Sequence, residues 1–108
     1  MIDKLKDIIT HFESLETQMV DPELLNNQSR YIEVAKEHRR FGPIIEKSKE
    51  YISVKEQIDD DNEILAGNDP ELKGIAQAEI VELEETLSEL EKGLKVLLLP
   101  HDPTDNKN

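Results

Sequence analysis

The residues of this chain with chemical potential are three histidines (His11, His38, His101), three arginines in one short window (Arg30, Arg39, Arg40) and a carboxylate run, Asp59-Asp60-Asp61-Asn62-Glu63. The run offers calcium ligands only superficially. A calcium loop needs oxygens at alternate positions, a glycine at the sharp turn and a bidentate glutamate at position twelve. Counted from Asp59, position six is Ile64 and position twelve is Pro70, so the run reads as a solvated helix end. No carboxylate precedes any histidine by three residues and no His-Glu-x-x-His occurs, so the helical metal signatures are missing. With no cysteine, no Gly-x-Ser-x-Gly elbow and no glycine-rich phosphate loop, nucleophilic and nucleotide chemistry have no foothold. The expectation is a chain that is not an enzyme, with no metal and no cofactor.

One cluster points to binding instead. Lys36, Arg39 and Arg40 are the candidate contact residues, because both arginines fall off the apolar seam of their helix and should be exposed. Guanidinium groups suit phosphate or an acidic partner surface. The plainer alternative is a charged helix face with Glu33 and Glu37 as counter-charges.

The elements that must position these side chains are helices. Ile2, Leu5, Ile8, Ile9, Phe12, Leu15 and Met19 fall on one face and predict a helix over about 2–19. Asp21-Pro22-Glu23 and Asp69-Pro70-Glu71 are two copies of a helix start: an Asp N-cap, a proline tolerated at the first position, a glutamate at the positive end of the dipole. Between them Leu24, Tyr31, His38, Ile45 and Ile52 recur every seven residues, and Ile44, Tyr51, Ile58 and Leu65 form a second such series. His38 is thereby placed at the edge of a core.

Gly42-Pro43 interrupts this stretch. An interior proline removes a hydrogen bond and costs about 3 kcal/mol, but the seven-residue phase runs through it without a skip, so one kinked helix over about 26–65 is predicted. Its acidic end opposes the dipole and should fray. Gly67 is available for a left-handed cap. A third helix over about 70–98 carries the heptad seam Ala76, Ile80, Leu83, Leu87, Leu90, Leu94 and Leu97. The expected fold is all-α, an antiparallel three-helix bundle whose two longer helices form a coiled-coil-like arm. Residues 1–98 make the helical domain, and 99–108 begin a linker.

Composition agrees. A length of 108 residues suits one core, 36% hydrophobic and 35% charged residues suit a helical bundle, and a net charge of −12 opposes nonspecific nucleic-acid or anionic-membrane binding. The first residues lack the apolar core of a signal peptide, and nothing approaches the roughly 18–20 apolar residues of a membrane span. A cytoplasmic protein is expected. From these features alone, a free-standing acidic coiled-coil adaptor is an open alternative.

The last stretch, Leu97-Leu98-Leu99-Pro100-His101-Asp102-Pro103-Thr104-Asp105-Asn106-Lys107-Asn108, resembles the junction after the first domain in the bacterial peptide chain release factor 1 family. Asp21-Pro22-Glu23, Lys36-Glu37, Pro43-Ile44-Ile45 and Asp69-Pro70-Glu71-Leu72 match that family in order and approximate spacing. The sister factor usually lacks Leu-Leu-Leu-Pro. Two departures are small: His101 stands for the commoner lysine, and Arg30-Tyr31 reverses the usual order. The resemblance implies an N-terminal helical domain of a factor that recognises UAA and UAG and triggers peptidyl-tRNA hydrolysis on the ribosome. The family's Gly-Gly-Gln and Pro-x-Thr-type loops lie downstream, and neither motif occurs here. No catalytic or codon-reading residue carries over. The implied partners are the ribosomal stalk base, the partner GTPase release factor and the glutamine methyltransferase, with no membrane and no direct stop-codon contact.

Overall fold

The computed structural model describes residues Met1–Leu99. Four helices follow one another: α1 (Ile2–Met19), α2 (Pro22–Leu25), α3 (Gln28–Leu65) and α4 (Pro70–Leu97). Both Asp-Pro-Glu phrases start helices. Asp21 Oδ1 accepts the Glu23 N–H at 3.0 Å, and Asp69 Oδ1 accepts those of Glu71 and Leu72 at 3.0 and 3.3 Å. The first phrase yields only the single turn α2. Asn27 is extended and its side chain accepts the Arg30 N–H at 3.2 Å, so the long helix starts anew at Gln28 rather than near residue 26. Asparagine competes with the helix for its own backbone donors, which is why it caps rather than continues.

The long helix runs unbroken through Pro43. Proline has no N–H to give the carbonyl four residues back, so the Arg39 carbonyl loses its helical partner. One finer expectation is corrected at the other end. Among the described residues no glycine has a positive φ, so Gly67 is not a left-handed cap. The turn closes instead with Ala66 N–H on the Asn62 and Glu63 carbonyls and Gly67 N–H on Ile64 O at 3.0 Å. A Cβ on Gly67 would lie 3.2 Å from Ile64 O, a tight approach that glycine avoids. The helix ends at Leu65, where the sequence places its end.

The two seven-residue series of α3 serve two different neighbours. The Tyr31, His38, Ile45 series lies toward α1: His38 stacks on Phe12 with ring centroids 4.3 Å apart. The Ile44, Tyr51, Ile58 series lies toward α4, in one buried cluster with Leu90 and Leu94. On α4 the seam residues Ala76, Leu90 and Leu94 are buried and Ile80, Leu83, Leu87 and Leu97 half-buried, whereas Ile75, Val81 and Val96 off the seam are exposed. α3 is therefore the spine of the antiparallel arrangement. α1 packs along its first half and α4 along its second, and no Cα of α1 comes within 8 Å of one of α4. The two flanking helices meet only through side chains near the middle, where Leu5 joins the cluster of Ile44 and Leu94. The result is a slab of 61 × 35 × 16 Å. The expected linker beyond Leu99, with His101, lies outside the described residues.

Candidate partner-binding surface

Lys36, Arg39 and Arg40 all project from α3 within two turns of Pro43, and all three are exposed. The counter-charges expected to quench them are engaged elsewhere. Glu33 pairs with Arg30 at 3.2 Å, and Glu37 Oε1 meets His11 Nε2 of α1 at 2.7 Å. Among the described residues neither Lys36, Arg39 nor Arg40 has an acidic oxygen within 4.0 Å. Arg40 lies 5.9 Å above the Phe41 ring, in cation–π range. It also borders a cavity of about 190 Å³ lined by Pro43, Ile44, Leu97 and Leu99. This surface pairs free guanidinium groups with an apolar recess and, at Arg39, a carbonyl without its helical partner. Such a surface is suited to recognition by charge and shape.

The histidines are less isolated than their sequence neighbours suggest. His11 of α1 reaches Glu37 of α3, and His38 of α3 reaches Glu16 of α1 at 3.3 Å, so each helix lends one histidine and one glutamate. His11 also sits edge-on to Phe41 at 5.5 Å. His38 keeps 29% of its side chain exposed, matching its expected place at the core edge. Sequence reasoning missed both pairs because the partners stand 26 and 22 residues apart.

Asp61 was also misplaced by reading the carboxylate run as solvated. Asp59 and Asp60 are exposed, but Asp61 is only 6% exposed and its Oδ2 has no hydrogen-bond partner. The signal was present: Asp61 lies three residues after Ile58, on the buried stripe. Elsewhere in the core, burial pushes the Tyr51 phenol above its ordinary value, Glu91 adds to the effect and Lys95 opposes it. Tyr51 thus stays a neutral hydroxyl. No three histidine or carboxylate side chains converge as metal ligands among the described residues, and no described helix is long and apolar enough to cross a membrane.

Comparison with known proteins gives this surface a context. A family profile described as the PCRF domain matches residues 8–108. The chain is 41% identical over 108 residues to peptide chain release factor 1 of Maridesulfovibrio salexigens and 40% identical to that of Geobacter sulfurreducens, covering 100% of this chain and 30% of each relative. Against the Symbiobacterium thermophilum factor it is 40% identical over 109 residues, covering 31% of the relative. The chain thus spans under a third of the length of these relatives. No solved structure matches it. Matched by that profile over all but its first seven residues, the chain belongs to the PCRF domain family and is similar, end to end, to part of bacterial peptide chain release factor 1.

Proposed function

We propose that this chain is the N-terminal helical domain of a bacterial class I release factor that terminates translation at UAA and UAG, and that it positions and docks the factor rather than catalysing release. The observation that carries this reading is the 41% identity over the whole chain to a release factor 1. Its role is that of a non-enzymatic module in the cytoplasm. The partner is the ribosome near the stalk base, and the partner GTPase and the glutamine methyltransferase meet the same domain. It does not touch the stop codon. A 61 Å slab without a Gly-Gly-Gln sequence is suited to reach and orientation, not to hydrolysis. Lys36, Arg39 and Arg40 are the contact residues within this reading, supported by their exposure and the engagement of Glu33 and Glu37 elsewhere.

The test uses the full-length factor with Arg39→Glu and Arg40→Glu together. Both side chains are exposed, so helicity and the melting midpoint should hold while binding to stop-codon-programmed ribosomes weakens and grows less salt-sensitive. Unchanged binding and release kinetics would remove the two arginines from the docking surface. Reading the gene past Asn108 tests the wider proposal: absence of a downstream Gly-Gly-Gln sequence would refute it.

A further inference from the structure

The recess beside Arg40 is formed by two elements, α3 and the end of α4. Buried Ile44 and exposed Pro43 come from α3, and half-buried Leu97 and the following Leu99 come from the α4 end. Leu99 stays 65% exposed although it borders about 190 Å³ of space lined mainly by aliphatic side chains. An apolar cavity of about 150 Å³ is enough for a benzene-sized group, so this recess admits one leucine- or phenylalanine-sized side chain. Its walls are a poor seat for a nucleobase, which stacks on aromatic faces.

The charges around the recess select the partner. Lys36, Arg39 and Arg40 are exposed, and no acidic oxygen among the described residues lies within 4.0 Å of them. From Glu56 to Glu91, thirteen aspartates and glutamates stand against Lys73 alone. That stretch carries the whole net charge of −12 and leaves the rest of the chain neutral. An acidic partner is therefore repelled along the distal arm and accepted at the basic cluster. Arg40, 5.9 Å above the Phe41 ring, stands at the lip of the recess.

We infer that the recess seats one apolar side chain of an acidic polypeptide segment, whose neighbouring carboxylates are held by Arg40, Arg39 and Lys36. A guanidinium fork matches a carboxylate with two parallel hydrogen bonds. The inference rests on the docking role proposed for these three residues and adds the class of partner, a protein segment.

The test places a photoreactive benzophenone side chain at position 99 of the full-length factor, which is irradiated on stop-codon-programmed ribosomes. The expected cross-link is to protein, at a peptide carrying an apolar residue beside aspartate or glutamate. A cross-link to ribosomal RNA, to the factor itself or to a peptide without carboxylates would overturn the inference, as would no cross-link. Leu99→Asn changes an exposed side chain without adding charge. It should keep the melting midpoint, weaken ribosome binding at least about fivefold and leave its salt dependence unchanged. The Arg39→Glu, Arg40→Glu pair should lower that salt dependence. If the charge reversal weakens binding and Leu99→Asn does not, the docking role stands and the apolar anchor falls. If neither weakens it, both fall, and weakening by Leu99→Asn alone would refute an acidic partner.

Discussion

Leu94 is the residue on which α1, α3 and α4 jointly depend. It is fully buried, in one cluster with Leu5, Ile44 and Leu90 from all three helices. Leu94→Ala removes three buried carbons, worth about 2.4 kcal/mol at about 0.8 kcal/mol each. Three separate helices border the gap, so no single shift can fill it, and a residual cavity adds about 1 kcal/mol. The expected loss is about 3–4 kcal/mol, a large share of the 5–15 kcal/mol typical of a domain. Urea unfolding followed by circular dichroism would show it as a lower midpoint at unchanged slope. By heat the fall should exceed about 12 °C, at about 4 °C or more per kcal/mol for a domain of this size. Val96→Ala, two residues on but 67% exposed, should stay within about 0.5 kcal/mol. Leu5→Ala combined with Leu94→Ala should cost less than the sum of the two, because both empty the same cluster. A loss below about 1 kcal/mol for Leu94→Ala, or strict additivity with Leu5→Ala, would refute a core shared by the three helices.

Two further outcomes follow from the caps and the core. Asp69→Ala leaves two helix donors of α4 without their partner and should cost about 1 kcal/mol, while Asp21→Ala, which caps only a four-residue turn, should cost clearly less in the same melting experiment; equal losses would contradict this. In a Tyr31→Phe background, absorbance titration should show Tyr51 ionising above pH 10, because burial and Glu91 favour its neutral form. Since the fold holds that proton more tightly than the unfolded chain does, this group leaves stability unchanged below pH 10 and reduces it as pH climbs beyond. Tyr51→Phe should abolish that alkaline loss, and a Tyr51 ionising at or below the ordinary value would refute the assignment.

The seam of α4 was legible because it follows α3 at a constant phase, and only at its Leu90–Leu94 end does a second helix, α1, join the same cluster. The two series of α3 were equally visible, but their meaning was not. Periodicity records that a face is covered and is silent about which helix covers it, so the division of the spine between α1 and α4 emerged only in three dimensions. Asn27 shows the limit of capping signals. The Asp-Pro-Glu phrase at 21–23 is as good a start as the one at 69–71, yet it is cut short by an asparagine that caps a second helix five residues after Pro22. The reciprocal His11–Glu37 and His38–Glu16 pairs join residues far apart in sequence. Their partners are chosen by helix packing, which no local pattern encodes. The basic cluster at 36–40 was readable as exposed, because exposure follows from phase. That its local glutamates are spoken for was not, because their partners come from elsewhere or compete for them.

The staggered packing along α3 has a mechanical meaning. α1 and α4 overlap along the spine only near its middle, in the manner of a lap joint between two planks glued to a third. The weakest backbone point of the spine, the hydrogen bond missing at Pro43, falls inside that overlap, beside Phe41 and Ile44, where side chains from both flanking helices meet it. Bending stiffness grows steeply with thickness, so the joint is where the slab resists flexing most. A load applied at the Ala66–Asp69 turn is thus carried past the proline and into α1, and the two-helix arm bends before the splice does.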